Sequence, residues 1–93
     1  MNITSLARTK GMLEIILVLK KDTALTSSDI INRVSISRDT FYRAIEQLRD
    51  IGVVKRDIVR KHVDGADRDF LMWTLTTTGA KIGMHLDDIQ KLL

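Results

Sequence analysis

Apolar positions along the chain change period several times, and each change marks an element. From Met12 to Leu19 the residues run apolar with only Glu14 interrupting. A helix covered on more than one side fits such a run, and a buried strand is the competing reading because periodicity alone does not separate them. The flanks favour a helix that begins between Ser5 and Thr9 and ends near Lys21. Two shorter amphipathic stretches follow. Thr26 caps the first, which runs to Val34, with Asp29 at capping-box spacing and Leu25 and Ile30 at the staple positions. Ser37 caps the second, with Ile36 and Phe41 as its staple, and the stripe Phe41, Ala44, Ile45, Leu48 and Ile51 predicts a core-facing side. Gly52 then supplies a left-handed residue past the helix end, and Val53 can close back on Leu48.

Beyond Gly52 the period shifts toward strands. Residues 53–63 and 70–76 are rich in β-branched and aromatic types, and Asp64-Gly-Ala-Asp-Arg-Asp69 between them has turn chemistry. This predicts a long hairpin over about 53–76. Trp73 and Leu75 share one strand face, which places Trp73 in the core. A last helix over about 77–92 opens at Thr76 or a neighbour. It repeats Gly79, Ile82, Leu86, Ile89 and Leu93 at spacings of three and four, an apolar seam suited to a second copy of the chain. The expected order is α-α-α-β-β-α: an α+β fold, mainly α, forming a single domain over residues 1–93 with a C-terminal dimerisation helix.

Only Ser35 and Ile36 separate the second and third helices. So tight a connection followed by a β-ribbon is a helix-turn-helix arrangement with a wing. Charge distribution agrees with a polyanionic partner. Net charge is only +3, but segment 1–21 and segment 53–63 each carry +3 while the remainder is acidic. Scattered solubilising charge is the bland alternative.

Composition narrows the classes further. At 93 residues, with 44% hydrophobic and 29% charged content, the chain is globular and small enough that dimerisation would add needed burial. It has no cysteine and only His62 and His85, widely separated, so neither a disulfide staple nor a soft-metal cluster is expected, and no cofactor. A cytoplasmic setting suits that composition. The apolar run at Met12 falls short of the about 20 residues that a membrane span needs, and no small-residue cleavage site follows it. Asn2-Ile3-Thr4 matches a glycosylation acceptor pattern by chance. Neither a nucleophile elbow, a phosphate-cradling glycine loop nor a His-Glu zinc helix is present, so an enzyme is not expected.

Several motifs carry a resemblance over roughly residues 9–93. Thr40-Phe-Tyr-Arg43 with Leu48, then Ile51-Gly-Val-Val-Lys-Arg56, and Trp73-Thr-Leu-Thr76 with Gly79 resemble the winged helix-turn-helix transcriptional regulators, especially the MarR and PadR type. The resemblance implies a homodimer on double-stranded DNA, with the helix over 38–51 in the major groove and the wing on the backbone. No small-molecule effector is assigned. Two departures stand out: Val34-Ser35-Ile36 lacks the usual turn glycine, and the wing tip carries Asp64, Asp67 and Asp69 against Arg68. A metal-sensing regulator of the ArsR kind is disfavoured by the missing cysteines.

The candidate base-reading residues are Ser37, Arg38, Thr40, Tyr42, Arg43 and Gln47. Arginine pairs bidentately with guanine, glutamine with adenine, and hydroxyls meet phosphate or a thymine methyl. Tyr42 could stack on a base or simply cover the helix. Arg8, Lys55, Arg56, Arg60, Lys61, His62 and Arg68 are the candidate phosphate partners. His85 is expected to flank the dimer seam. An ordinary solvated helix face is the bland reading of the first set. A winged-helix module that binds another protein of the transcription or replication machinery is the alternative function, supported by the acidic wing tip. Affinity without sequence preference would mark a third, architectural role.

Overall fold

The computed structural model of the chain describes residues 11–92. Seven elements follow in order: α1 (Met12–Asp22), β1 (Ala24–Leu25), α2 (Ser27–Val34), α3 (Arg38–Asp50), β2 (Val54–Val63), β3 (Ala66–Leu75) and α4 (Thr77–Leu92). The architecture is α+β and mainly helical, as the sequence predicts, with one strand more than expected. Ala24 and Leu25 pair antiparallel with Thr74 and Trp73, so the sheet has three strands in the order β1-β3-β2. Two residues are too few for a periodic signal, which is why β1 is invisible to pattern reading.

α1 is a helix rather than a strand. Gly11 stands at its N-cap in a left-handed conformation (φ 91°), and the expected start between Ser5 and Thr9 lies outside the described residues. Met12, Ile15, Ile16 and Leu19 point into the core, while Leu13 and Val18 are half-covered. Part of the second covered side comes from α4 of the same chain. Gly83 is buried against the Lys20 stem and Ile16, so close that an added Cβ would sit 3.3 Å from Lys20 and 3.5 Å from Ile16. Lys20 Nζ pairs with Asp87 across the same contact at 3.5 Å.

Both helix entries form as read. Thr26 Oγ1 accepts from the Asp29 amide at 3.2 Å and Asp29 Oδ2 accepts from the Thr26 amide at 3.3 Å, a reciprocal capping box. Ser37 Oγ accepts from the Thr40 amide at 3.1 Å. At the far end of α3 the Val53 amide donates to Leu48 O (2.9 Å) and the Gly52 amide to Arg49 O (3.1 Å), with Gly52 left-handed at φ 81°; this is a Schellman closure. Leu48 and Val53 are both fully buried there. Ile51, expected in the core stripe, is instead 39% exposed, because the backbone turns away at the C-cap before that position comes round to the core side.

The hairpin keeps its expected span, but its turn is tighter and its second strand starts earlier than expected. Its turn is Asp64-Gly65 alone, with φ of 52° and 80°, and strand pairing runs from Val54↔Leu75 to Val63↔Ala66. Two successive left-handed residues match the twist of the flanking strands, which favours an Asp-Gly turn over a six-residue loop. Asp67, Arg68 and Asp69 therefore belong to β3.

Candidate nucleic-acid interface

The junction of α2 and α3 is built without glycine. Ser35 takes the left-handed position (φ 58°), and its amide closes α2 on Ile31 O at 3.0 Å. A serine there carries strain of about 1–2 kcal/mol that glycine would avoid. Ile36 then packs on the core, so the chain re-enters helix at once and α3 is held at its first turn. Phe41, Ala44, Ile45 and Leu48 are fully buried beneath it. The expected reading residues divide into two groups. Ser37 and Thr40 bond each other, Ser37 Oγ donating to Thr40 Oγ1 at 2.8 Å, and so serve the cap. Arg38, Tyr42, Arg43 and Gln47 stand on exposed positions. Tyr42 meets the edge of the Phe41 ring with centroids 5.2 Å apart, which orients it while leaving it exposed.

The outer face of α3 is mixed in sign. Asp39, Arg43, Glu46 and Asp50 follow one another at helical spacing opposite the buried stripe, and all are exposed. Arg38, Tyr42 and Arg49 line one flank. Arg49 was not among the expected site residues, although its distance of seven from Tyr42 is the signal that would have found it.

The wing begins two residues beyond Gly52. Strand alternation sends its cations to opposite sides of the ribbon, so the basic run Lys55-Arg56 and Arg60-Lys61 makes no single basic face. Arg56 lies 5.3 Å over the Trp73 ring, and Trp73 in turn donates from Nε1 to Ser27 Oγ at 3.0 Å, tying β3 to the start of α2. Arg60 pairs with Asp69 at 3.0 Å and His62 with Asp67 at 2.9 Å. Lys55, Lys61 and Arg68 have no carboxylate partner among the described residues. Arg8, the remaining expected phosphate contact, lies outside the described residues.

Solved structures share this arrangement. The reduced form of the transcriptional regulator YodB from B. subtilis superposes with a TM-score of 0.73 at 17% identity, covering 96% of this chain and 82% of that one. An apo-form mutant of ZitR from Lactococcus lactis gives 0.67 at 16% identity over 85% of this chain, which spans about half of ZitR's length (55%). SSV1 F-93 gives 0.54 at 19% identity, covering 87% and 90%. No protein-family model and no curated protein matches the sequence. The fold is a winged helix.

In this winged helix the return from wing to α4 is locked by one threonine. Thr76 Oγ1 donates to Gly52 O at 2.6 Å and accepts from the Gly79 amide at 3.0 Å, so a single side chain joins the end of α3 to the cap of α4. Gly79 is required by the same contact, since a Cβ there would overlap the Val53 carbonyl. The expected dimer seam is thereby split. Gly79 is buried within its own chain, Ile82 and Leu86 pack half-covered on its own core, and Ile89 is exposed together with Met84 and Leu92. Leu93 lies outside the described residues. His85 is exposed one helical turn before Ile89.

An open groove of about 700 Å³ runs between α1, α2 and α4, with Leu17, Val18 and Val34 among its lining residues and charges of both signs around them. Arg33 pairs with Asp22 beside it. Asp87 borders it too; the Lys91 ammonium, 3.3 Å away, and Lys20 behind it hold its carboxyl below the ordinary carboxylate range. Among the described residues no helix is long and apolar enough to cross a membrane, and no cluster of three or more His, Asp or Glu side chains could hold a metal ion.

Proposed function

We propose that this single domain over residues 1–93 is a sequence-specific, double-stranded DNA-binding transcriptional regulator that acts as a homodimer, with α3 in the major groove and the wing on the backbone. The observation that carries the reading is α3 itself. It is capped at both ends, anchored by four buried apolar residues, and turns Arg38, Tyr42, Arg43 and Gln47 outward immediately before a cation-bearing hairpin. A rigid helix so presented fits a major groove, where Arg43 or Arg38 would read guanine and Gln47 adenine. The likeness to the transcriptional regulator YodB points the same way, and to binding rather than catalysis. Within that reading its motifs resemble those of the MarR and PadR type.

The homodimer rests on the outer side of α4. Ile89 and Leu92 are exposed at helical spacing, and apolar side chains so grouped on a small chain seek a partner surface. Ile89→Glu should convert a particle of twice the 10.6 kDa chain mass into a monomer during sedimentation. Selection from randomised duplexes tests the DNA reading: it should return an inverted repeat with half-site centres roughly 10 to 10.5 base pairs apart, or a multiple.

A second reading has its own observation. Asp39, Glu46 and Asp50 stand in the middle of the outer face of α3, where phosphates would repel them. A winged-helix interaction module for a basic protein partner would use that face directly, and would retain no duplex even at low salt.

A further inference from the structure

Register decides which charges meet on the wing. Arg60 stands opposite Asp69, His62 opposite Asp67, and Lys61 opposite Arg68. Period-two alternation places the first two pairs on one side of the ribbon and Lys61 with Arg68 on the other. On the first side the polar side chains are paired within the hairpin: Arg60 Nε donates to Asp69 Oδ1 at 3.0 Å, and His62 Nδ1 lies 2.9 Å from Asp67 Oδ1. Lower on that side the Arg56 guanidinium is occupied over Trp73. The second side is different. Lys61 and Arg68 face each other with no carboxylate partner among the described residues, and the Lys61 ammonium rests 5.9 Å from the Phe70 ring centre.

Like charges directly opposite on an antiparallel pair repel, with Cβ atoms only about 4.5–5.5 Å apart. Asp67 and Asp69 flank Arg68 in β3, yet the register gives them to His62 and Arg60. What remains is two cationic donors on directly opposed positions, which gain from an anion shared between them. A guanidinium binds phosphate oxygens bidentately, and an ammonium adds a compact point charge.

We propose that Lys61 and Arg68 form a two-cation clamp for one backbone phosphodiester of DNA, and that Arg60 and His62, held by Asp69 and Asp67, stand outside it. The clamp rests on the DNA-binding reading of α3 and narrows the wing's contribution from six candidate phosphate contacts to one opposed pair, with Lys55 separate, six residues back along β2.

Binding of the selected duplex by the full chain, followed by fluorescence anisotropy over a salt series, tests it. Lys61→Ala combined with Arg68→Ala should weaken binding to every sequence alike and flatten the slope of log affinity against log salt by about 0.9 per subunit. The same double variant should keep or raise the thermal midpoint of the free protein, because a repulsion has been removed; a merely structural role would lower it. Arg60→Ala and His62→Ala should leave the slope unchanged. Equal slopes for the wild-type chain and the double variant, or a flatter slope for Arg60→Ala, would overturn the clamp while leaving the DNA reading intact. No retained complex with the wild-type chain at low salt would overturn both.

Discussion

α3 and the wing are the two halves of one proposed interface, and they are built on opposite principles. α3 is fixed by burial: four apolar side chains lie beneath it, a serine cap opens it and a Schellman closure ends it. Its outer face is left chemically mixed, with Arg43 among three carboxylates. The wing beyond Trp73 has little core to rest on, and Ile58 and Leu71, directly opposite each other, are 71% and 50% exposed. Cross-strand pairing organises it instead, sorting its charges side by side. Position is therefore specified in α3 by packing and in the wing by register. A helix held this way can present individual side chains to base edges, whereas a ribbon held by its ladder suits contacts that need charge more than exact placement.

The comparison breaks most visibly in the response to truncation. Phe41→Ala should cost about 3–5 kcal/mol in denaturant unfolding, since the ring is fully buried under α3. Phe70→Ala, on the half-exposed wing, should cost no more than about 1 kcal/mol, because little of the buried apolar surface is lost. Comparable losses would mean that the wing is part of the core. Two glycines make the next contrast. Gly79→Ala forces a Cβ into the Val53 carbonyl and should destabilise by at least roughly 1–3 kcal/mol. Gly65→Ala meets open space and should cost only the left-handed strain of about 1–2 kcal/mol, while shifting wing resonances rather than those of the body.

On DNA the two halves should separate by kind of loss. Arg43→Ala should weaken the preferred site by about 1–3 kcal/mol and relax preference at one base position, while Lys61→Ala lowers affinity evenly across sequences. Even, sequence-independent losses from both would remove α3 as the reader.

The smallest effect is a pH dependence at the α1–α4 contact. Asp87 has its folded pKa depressed by Lys91 and Lys20, so its stabilising contribution is complete above the ordinary carboxylate range near 3.8 and is lost as pH falls through the depressed value. Asp87→Asn should abolish that acid-side decline in thermal midpoint and leave stability at neutral pH nearly unchanged, as an exposed pair implies.

Local signals explain which parts of this molecule could be read from its residues. Thr26, Ser37 and Gly52 act within four residues of themselves, and the helix boundaries they imply are those observed. The Asp64-Gly65 turn was equally local, but three further charged residues disguised where β3 starts. What escaped depends on distant partners. β1 exists only because Trp73 and Thr74 lie beside it. Gly79 and Gly83 belong to a seam by spacing, yet close approach to Val53 and to α1 is what calls for them, so periodicity shows an apolar side without saying whether the same chain or another covers it. For the candidate site, exposure of Arg38, Arg43 and Gln47 followed from the helix period. The pairing of Arg60 with Asp69 and of His62 with Asp67 needed the register, which the disguised turn had concealed.

The most direct test of the central claim is affinity for a selected duplex measured against salt. If each subunit of a dimer meets about three to five phosphates while α3 reads bases, log affinity should fall against log salt with a slope of roughly −5 to −9 on an inverted-repeat site. No retained complex at low salt, or a slope near about −2 with no sequence preference, would contradict the account and leave the acidic face of α3 as a protein-docking surface.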